Sequence, residues 1–307
     1  MKIIFMGTPD FAIPSLQSLI NSKHKVISVV TAPDKERGRG QKVSFTPVKE
    51  FALQNKIPVL QPEKLKSNPL FVDELKKYNA DLFVVVAFKI LPKEVFTIPP
   101  KGSFNLHASL LPKYRGAAPI QWALINGETE TGVTTFKLEE QVDTGNIYLQ
   151  KKTIIKPEDN FESLHDKLSE LGAEAVLQTV DMIVQKDSYG EAGKFELNKQ
   201  IDSLATPAPK ITKEICQIDW NKSAVEVHNL VRGLSPHPTA FFIYDEKVIK
   251  IYETEVVERN DLKAFQIVQT KNELIIGCGK NALRILELQQ EGRKRMTAEE
   301  FLRGFRF

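Results

Sequence analysis

Short apolar runs alternate with stretches of helical spacing along the N-terminal part of the chain. Residues 2–6 form an apolar run that predicts a strand, and residues 11–20 carry apolar side chains at the spacing of a helix. The same alternation predicts further strands at 26–31, 59–60, 81–87 and 103–106 and further helices at 48–54 and 71–78. Strands that alternate with helices indicate a doubly wound α/β domain, with right-handed crossovers between parallel strands.

The pattern changes beyond residue 116. It predicts a helix and then two strands, at 117–126, 132–138 and 146–155. The polar segment EEQVDTG joins the two strands and indicates an antiparallel hairpin at the edge of the sheet. Asp159 is then predicted to start a long amphipathic helix that runs to about residue 185, with Glu162 as its capping-box partner.

A second, smaller domain is predicted in the last hundred residues. A predicted helix at 221–233 is followed by five short apolar runs, at 240–244, 248–254, 264–270, 273–277 and 282–288. Short strands separated by turns favour a small β-barrel. Residues 188–207 are rich in Gly, Pro and polar side chains, so the expected division is 1–187, a linker at 188–207, and 208–307.

Composition and charge narrow the class of protein only a little. With 42% hydrophobic and 26% charged residues the chain is an ordinary globular protein, and a net charge of +3 does not by itself indicate a polyanionic partner. The two cysteines, Cys216 and Cys278, are predicted to be buried, reduced thiols. The apolar run at 82–88 is too short for a membrane span, and Gly7 to Asp10 interrupt the N-terminal run, so we expect a cytoplasmic protein without a signal peptide.

The candidate catalytic centre lies where the strand at 103–106 ends. Asn105 and His107 are two residues apart, so they project from the same face of a strand. Polar groups at the carboxyl end of a parallel strand, followed by a loop, are typical of active sites in open α/β sheets. Asp143, in the turn VDTGN, is the candidate third group, because the hairpin turn could fold back over this strand end. The alternative for Asp143 is an Asx-turn residue without a catalytic role.

No covalent nucleophile or metal site is predicted beside these residues. Ser109 lacks a Gly-x-Ser-x-Gly elbow, and the five histidines are scattered along the chain. An amide, an imidazole and a carboxylate suit direct attack by a bound amine on an activated group. The amide and imidazole would stabilise the oxyanion, and the imidazole and carboxylate would transfer protons.

Residues 33–47 are predicted as a long loop without secondary structure of its own. The stretch 35–49 carries five cations, Lys35, Arg37, Arg39, Lys42 and Lys49, against the single acidic residue Glu36. A solvated surface loop is the simpler interpretation, but long loops in ordered domains are often functional. Gly38 and Gly40 would let the segment follow a phosphate backbone, and Arg293 to Arg295 form a second basic cluster.

Four motifs resemble the 10-formyltetrahydrofolate-dependent formyltransferases: GTPDFA, FNLHASLLPKYRGAAPIQWAL, TGVTTFKLEEQVDTG, and ATPAPKI followed by IDW. The resemblance extends from Lys2 to the last residues, and Asn-x-His followed by Ser-Leu-Leu-Pro is highly specific. It implies a Rossmann-like formyltransferase domain and a C-terminal OB-like β-barrel domain. It also implies N10-formyltetrahydrofolate as the formyl donor and, as acceptor, the α-amino group of methionine on initiator tRNA, for translation initiation.

The resemblance also assigns roles by position in these motifs. It implies catalysis by Asn105, His107 and Asp143, and folate binding by Ser109, Leu110, Leu111 and Pro112. Arg39 falls in the family's loop that approaches the tRNA acceptor end, and together with Arg37 and Lys42 of the same basic loop it is the candidate tRNA-binding set. No metal, membrane or obligate protein partner is expected. One departure is the segment that lines the pterin pocket in the family, which is one residue shorter here at 88–91 and lacks its glycine.

Two alternatives share these residues. A folate-dependent formyl transfer or hydrolysis that acts on a small amine or on water would use the same three catalytic groups. The roughly one hundred residues after Pro207 and the basic loop favour a macromolecular acceptor instead. A non-catalytic RNA-binding module is disfavoured because a degenerate site would have lost one of the three groups.

Overall fold

The computed structural model describes residues 1–37, 42–189 and 197–307. The chain forms two compact units. The first comprises Met1–Gly116, Gly132–Thr153 and His165–Pro207, and the second comprises Ala117–Thr131, Ile154–Leu164 and Ala208–Phe307. The domain boundaries drawn from composition at 187 and 208 stay a prediction.

Up to residue 189, the described part of the chain contains ten strands and six α-helices. The strands are β1 Lys2–Gly7, β2 Lys25–Val30, β3 Lys35–Arg37, β4 Lys42–Ser44, β5 Val59–Leu60, β6 Leu82–Val86, β7 Ser103–His107, β8 Arg115–Gly116, β9 Glu130–Lys137 and β10 Ile147–Ile154. The helices are α1 Ile13–Ile20, α2 Pro47–Gln54, α3 Pro69–Lys77, α4 Lys93–Phe96, α5 Pro119–Ile125 and α6 Phe161–Tyr189.

The first unit is built on a mixed sheet. Seven of the described strands lie in the order β10-β9-β7-β6-β1-β2-β5. Strands β5, β2, β1, β6 and β7 are parallel, and β9 runs antiparallel to β7. The parallel strands therefore follow the doubly wound order 3-2-1-4-5, which places the switch point between β1 and β6. The predicted Rossmann-like fold is confirmed.

Both faces of the central strands are buried, as their unbroken apolar sequences predicted. Ile4 and Met6 of β1 join Phe83 and Val85 of β6 in a cluster with residues of α3. The residues of opposite parity, such as Phe5, are also inaccessible to solvent. Helices thus cover the two faces of the parallel strands, which leaves the ends of the strands as the place for polar groups.

Two local predictions were wrong. Residues 33–47 are not a loop throughout, because β3 and β4 pair as an antiparallel hairpin with Arg37 opposite Lys42. Strands of three residues are too short for periodicity to reveal.

The helix α6 starts at Phe161 rather than Asp159, since Asn160 and Ser163 exchange hydrogen bonds at its N-terminus. The Asp159 carboxylate accepts instead from the N–H of Lys156, in the preceding turn.

The remaining elements belong mainly to the second unit. They are β11 Pro207–Ala208, α7 Lys213–Cys216, α8 Ala224–Leu234, β12 Ala240–Tyr244, β13 Lys247–Val257, β14 Ile267–Gln269, β15 Leu274–Gly277, β16 Ala282–Gln290, β17 Met296–Thr297 and α9 Ala298–Leu302. Strands β12, β13, β16, β15 and β14 form a curled antiparallel sheet in that order, and β17 pairs with β16. The predicted OB-like domain is confirmed.

Helix α8 covers this sheet with an apolar stripe. Val227, Val231 and Leu234 recur at three- and four-residue spacing and pack in one cluster with Ile251 and Ile285 of the sheet. The two cysteines are buried free thiols, as predicted. Burial raises the pKa of the Cys278 thiol to about 11. Over the described ranges, no helix is both long enough and apolar enough to cross a bilayer.

Candidate active site

Strand β7 presents the two candidate catalytic side chains at its carboxyl end. Asn105 and His107 lie two residues apart on one face, while Leu106 points to the other face, against Gly172 of α6. A Cβ on Gly172 would come within 2.6 Å of the Leu106 side chain, so the helix lies close on that side. The packing of Leu106 therefore sets which face of β7 carries Asn105 and His107.

A backbone carbonyl holds the imidazole of His107. Its Nε2 lies 2.8 Å from the carbonyl oxygen of Tyr114, and the ring is buried. Because a carbonyl can only accept, Nε2 must carry the hydrogen, and this assigns the neutral tautomer. In the neutral ring, Nδ1 then carries the lone pair that can accept a hydrogen bond or a proton.

The carboxylate of Asp143 stands beside that nitrogen. Its Oδ2 is 3.9 Å from His107 Nδ1, and both side chains are largely buried. The same oxygen accepts a hydrogen bond from the N–H of Gly116 at 3.0 Å. The distance to Nδ1 exceeds that of a hydrogen bond, so the carbonyl of Tyr114, and not Asp143, holds the ring by a hydrogen bond in this structure. In enzymes without substrate, contacts between catalytic groups are often long.

The amide of Asn105 is uncommitted. Among the residues that the structure describes, its side chain has no hydrogen-bond partner, although it is only partly exposed on β7. A primary amide offers two N–H donors. Asn105 therefore has donors available for a developing oxyanion at the strand end.

The predicted folate-binding segment divides into two kinds of residue. Ser109 and Leu111 are buried, and the Ser109 hydroxyl donates to the carbonyl of Lys113 at 2.7 Å. Leu110 and Pro112 are partly exposed. Of the four residues, Leu110 and Pro112 thus have side-chain surface for a ligand, whereas Ser109 and Leu111 maintain the turn.

Thr134 of β9 holds the turn at residues 109–112 in place by hydrogen bonds. Its hydroxyl donates to the carbonyl of Ser109 at 2.6 Å and accepts from the N–H of Leu111 and from the amide of Gln150. The side chain is inaccessible to solvent. Such a buried hydroxyl, with three partners, couples the position of the turn to the sheet.

Replacing Thr134 by valine is expected to lower the free energy of unfolding. The change keeps the shape but leaves two buried backbone groups without a partner, which costs about 1–3 kcal/mol each before relaxation. Urea unfolding measures the loss. Thr153→Val is the matched control, because Thr153 is partly exposed on β10 and has no side-chain hydrogen bond among the described residues. Equal stability of the two variants would contradict the anchoring role.

Two of the three residues predicted to bind tRNA are described, and both belong to the paired strands β3 and β4. Arg37 and Lys42 are paired with each other, and Arg39 lies outside the described residues. Lys49, another cation of this stretch, forms an ion pair with Asp34 and lies over the ring of Phe45. Hydrogen bonds from Gln61 and Lys49 hold the pKa of the Asp34 carboxyl below its usual value.

The segment after β6, at residues 88–91, exposes two neighbouring side chains. Leu91 is buried in the core cluster beside β6, whereas Lys89 is exposed and Ile90 is 73% exposed. Ala87 adopts a left-handed conformation with φ of 48°, which turns the chain at the end of the strand. Lys89 and Ile90 are therefore available to a ligand near the switch point between β1 and β6.

Several groups of this site were not found from the sequence. The carbonyl of Tyr114 and the N–H of Gly116 are backbone atoms, so residue type gives no signal for them. Gln200 donates to the carbonyl of Asp143 at 2.9 Å, although the two are far apart along the chain. No group of three or more His, Cys, Asp or Glu residues in the described ranges could hold a metal ion.

Comparisons with known proteins identify the family. A family model described as formyl transferase matches residues 1–180, and one described as formyl transferase, C-terminal domain, matches residues 210–306. The chain is 51% identical over 306 residues to the methionyl-tRNA formyltransferase of Caldanaerobacter subterraneus subsp. tengcongensis, covering 99% of this chain and 97% of that protein. It is 46% identical to the methionyl-tRNA formyltransferase of Geobacter sulfurreducens, covering 100% of this chain and 94% of that protein.

A solved structure shares the fold at lower identity. It is an N-formyltransferase from Helicobacter canadensis, solved in complex with folinic acid and dTDP-3-aminofucose. The two proteins superpose with a TM-score of 0.67 at 20% identity, over 96% of this chain and 100% of that one. Together, the family models and the relatives show that this chain belongs to the formyl transferase family.

Proposed function

We propose that this chain transfers the formyl group of N10-formyltetrahydrofolate to the α-amino group of methionine on initiator tRNA. The observation that carries the proposal is the 51% identity, over nearly the whole chain, to a protein named methionyl-tRNA formyltransferase. The identity extends through both units, so it covers almost the whole chain and not the formyl transferase domain alone.

The site geometry suggests how Asn105, His107 and Asp143 divide the reaction. The amine attacks the formyl carbon and a new C–N bond forms. The carbonyl oxygen becomes an oxyanion, to which the Asn105 amide can donate hydrogen bonds. Because Nε2 is committed to Tyr114, His107 acts through Nδ1, which accepts the proton of the attacking amine. Asp143 stabilises the resulting imidazolium. Collapse of the intermediate breaks the bond between the formyl carbon and N10, and N10 takes up the proton.

The donor and acceptor bind to different groups of residues in this proposal. Leu110 and Pro112 contact the folate directly, while Ser109 and Leu111 shape the turn that carries them. Lys89 and Ile90 form the edge of the pterin pocket in place of the family's longer segment. Arg37, Arg39 and Lys42 contact the phosphates of the tRNA acceptor end, where cations supply affinity without reading the sequence.

Replacing Arg39 by alanine is expected to weaken the use of tRNA and to leave folate binding unchanged. Loss of one phosphate contact should lower kcat/KM for tRNA about tenfold and reduce its dependence on salt concentration. Steady-state kinetics with each substrate varied in turn measures both effects. Lys76→Ala on α3 removes the same charge from an exposed site and serves as the control. An equal effect of both changes would refute a specific contact by Arg39.

A direct assay tests the proposed function. The protein is incubated with N10-formyltetrahydrofolate and one of three acceptors: methionyl initiator tRNA, methionyl elongator tRNA, or small amines that include free methionine. We expect formylation of the initiator species at a rate far above that of the small amines. Formylation of small amines without formylation of the tRNA would overturn the proposal, as would release of formate with no acceptor modified.

A further inference from the structure

Gln200 is a buried polar residue that contacts the segment carrying Asp143. The residue is 5% exposed. The amide nitrogen donates to the carbonyl of Asp143 at 2.9 Å and to the carbonyl of Gly145 at 2.8 Å. A primary amide has two N–H groups, so both are used on this one segment. Gln200 therefore bridges the chain on either side of Thr144.

Arg115 fixes the orientation of that amide. Its Nε and Nη2 lie 3.1 Å and 2.8 Å from Oε1 of Gln200, and Nη2 also contacts Asp202 at 2.8 Å. A guanidinium can only donate, so the atom facing it must be the amide oxygen. The NH₂ group must therefore face the 143–145 segment. The contact with Arg115 thus distinguishes the two possible orientations of the Gln200 amide.

The segment held by Gln200 has an unusual backbone. Asp143 has a φ of 58°, in the left-handed region that non-glycine residues rarely adopt. Gly145 lies so close to the sheet that a Cβ would come within 1.7 Å of the carbonyl oxygen of Lys137. Surrounding contacts must maintain such a conformation, and the two hydrogen bonds from Gln200 are among those that do so.

The position of this backbone decides where the Asp143 carboxylate lies. The carboxylate reaches the N–H of Gly116 and stands 3.9 Å from His107 Nδ1. Its effect on the imidazole depends on that separation, since the interaction between charges falls with distance. Strands β9 and β10 tether both ends of the connection, so loss of the Gln200 contacts would loosen the turn and leave the sheet in place.

We propose that Gln200 is a positioning residue for formyl transfer. It holds the Asp143 carboxylate in its place beside His107. It acts through Asp143 and does not touch the substrates. Arg115 serves the same end by orienting the Gln200 amide. The inference rests on the proposed function, because it assigns Gln200 a part in the reaction of that same site.

The first test replaces Gln200 by methionine, which has a similar length and no amide. We expect kcat for initiator tRNA to fall about tenfold to a hundredfold, since a misplacement near 1 Å can cost that much. KM for both substrates should change by less than about threefold, because Gln200 does not touch either substrate in this proposal. Gln141→Met, on the same connection but exposed, is the matched control and should retain the native kcat.

A second variant guards against a folding defect. Gln200→Glu keeps an oxygen for Arg115 but replaces the donating NH₂ by an acceptor that faces two carbonyls. We expect a loss of kcat at least as large as that of the methionine variant, with a thermal melting curve that shows a folded protein. Native kcat in a folded Gln200→Glu protein would overturn the inference.

A double-mutant cycle separates positioning from a general structural role. If Gln200 acts through Asp143, then Gln200→Met should cause almost no further loss of kcat in an Asp143→Asn background. Losses that multiply would show that Gln200 acts independently of Asp143, and would overturn the inference.

Native protein is assayed in parallel. Absence of its activity on initiator tRNA would refute the proposed function itself, whereas unaltered kcat in Gln200→Met with active native protein refutes only the inference.

Discussion

Replacement of His107 by alanine is expected to abolish formyl transfer and to leave the binding of initiator tRNA nearly unchanged. Nδ1 of His107 is the group that takes the proton of the attacking amine in the proposed reaction, so its loss should lower kcat by about 10²- to 10⁴-fold. Single-turnover kinetics measures the chemical step, and a filter-binding assay measures the affinity for tRNA.

A glutamine at position 107 separates catalysis from the structural contact of the ring. The Nε2 of glutamine can still donate to the carbonyl of Tyr114, which His107 contacts at 2.8 Å, but nothing replaces Nδ1, which accepts the proton in the proposed reaction. We expect His107→Gln to be as inactive as His107→Ala and to melt closer to the native protein. His165→Ala, in the same unit but at the start of α6, is the control. Collapse of tRNA binding or of the fold in the glutamine variant would show that His107 is structural.

Replacing Asp143 by asparagine is expected to give the second largest effect on catalysis. The asparagine oxygen can still accept from the N–H of Gly116, so the turn keeps its contact and only the charge beside His107 is lost. Loss of a charge that stabilises an imidazolium should lower kcat by about 10²- to 10³-fold. Steady-state kinetics at saturating folate and tRNA measures this loss.

The control for Asp143 is an aspartate of equal charge away from the site. Asp73→Asn on α3 removes a carboxylate that is 65% exposed and pairs with Lys76. It should have native kcat. If Asp143→Asn kept native kcat as well, over the whole pH range of activity, Asp143 would be the Asx-turn residue that the sequence left open as an alternative.

The elements of the fold were predictable because their signals are local. Strand β6 has an unbroken apolar sequence, LFVVV, and lies fully buried inside the sheet, as that sequence indicated. The strands of the second unit were predicted from short apolar runs, and β12 spans Ala240–Tyr244 as expected. The start of α6 was misplaced because two consecutive residues, Asp159 and Asn160, could each cap a helix, and only the surrounding hydrogen bonds select Asn160.

The site was partly predictable for the same reason. The period of two along a strand placed Asn105 and His107 on one face, and the structure shows that arrangement at the end of β7. The charge of the stretch at 35–49 was also evident, but the pairing of Lys49 with Asp34 was not. A count of charges does not show which of them are neutralised by neighbours.

The sequence by itself determined most of the strands and helices, and which polar side chains stand at the carboxyl end of β7. Only the tertiary structure decided that the carbonyl of Tyr114 sets the tautomer of His107, and that Gln200 holds the backbone of Asp143. The physical reason is the range of the interactions. Periodicity arises from the geometry of one element, whereas these hydrogen bonds join backbone and side-chain atoms from loops that meet only after the sheet has formed.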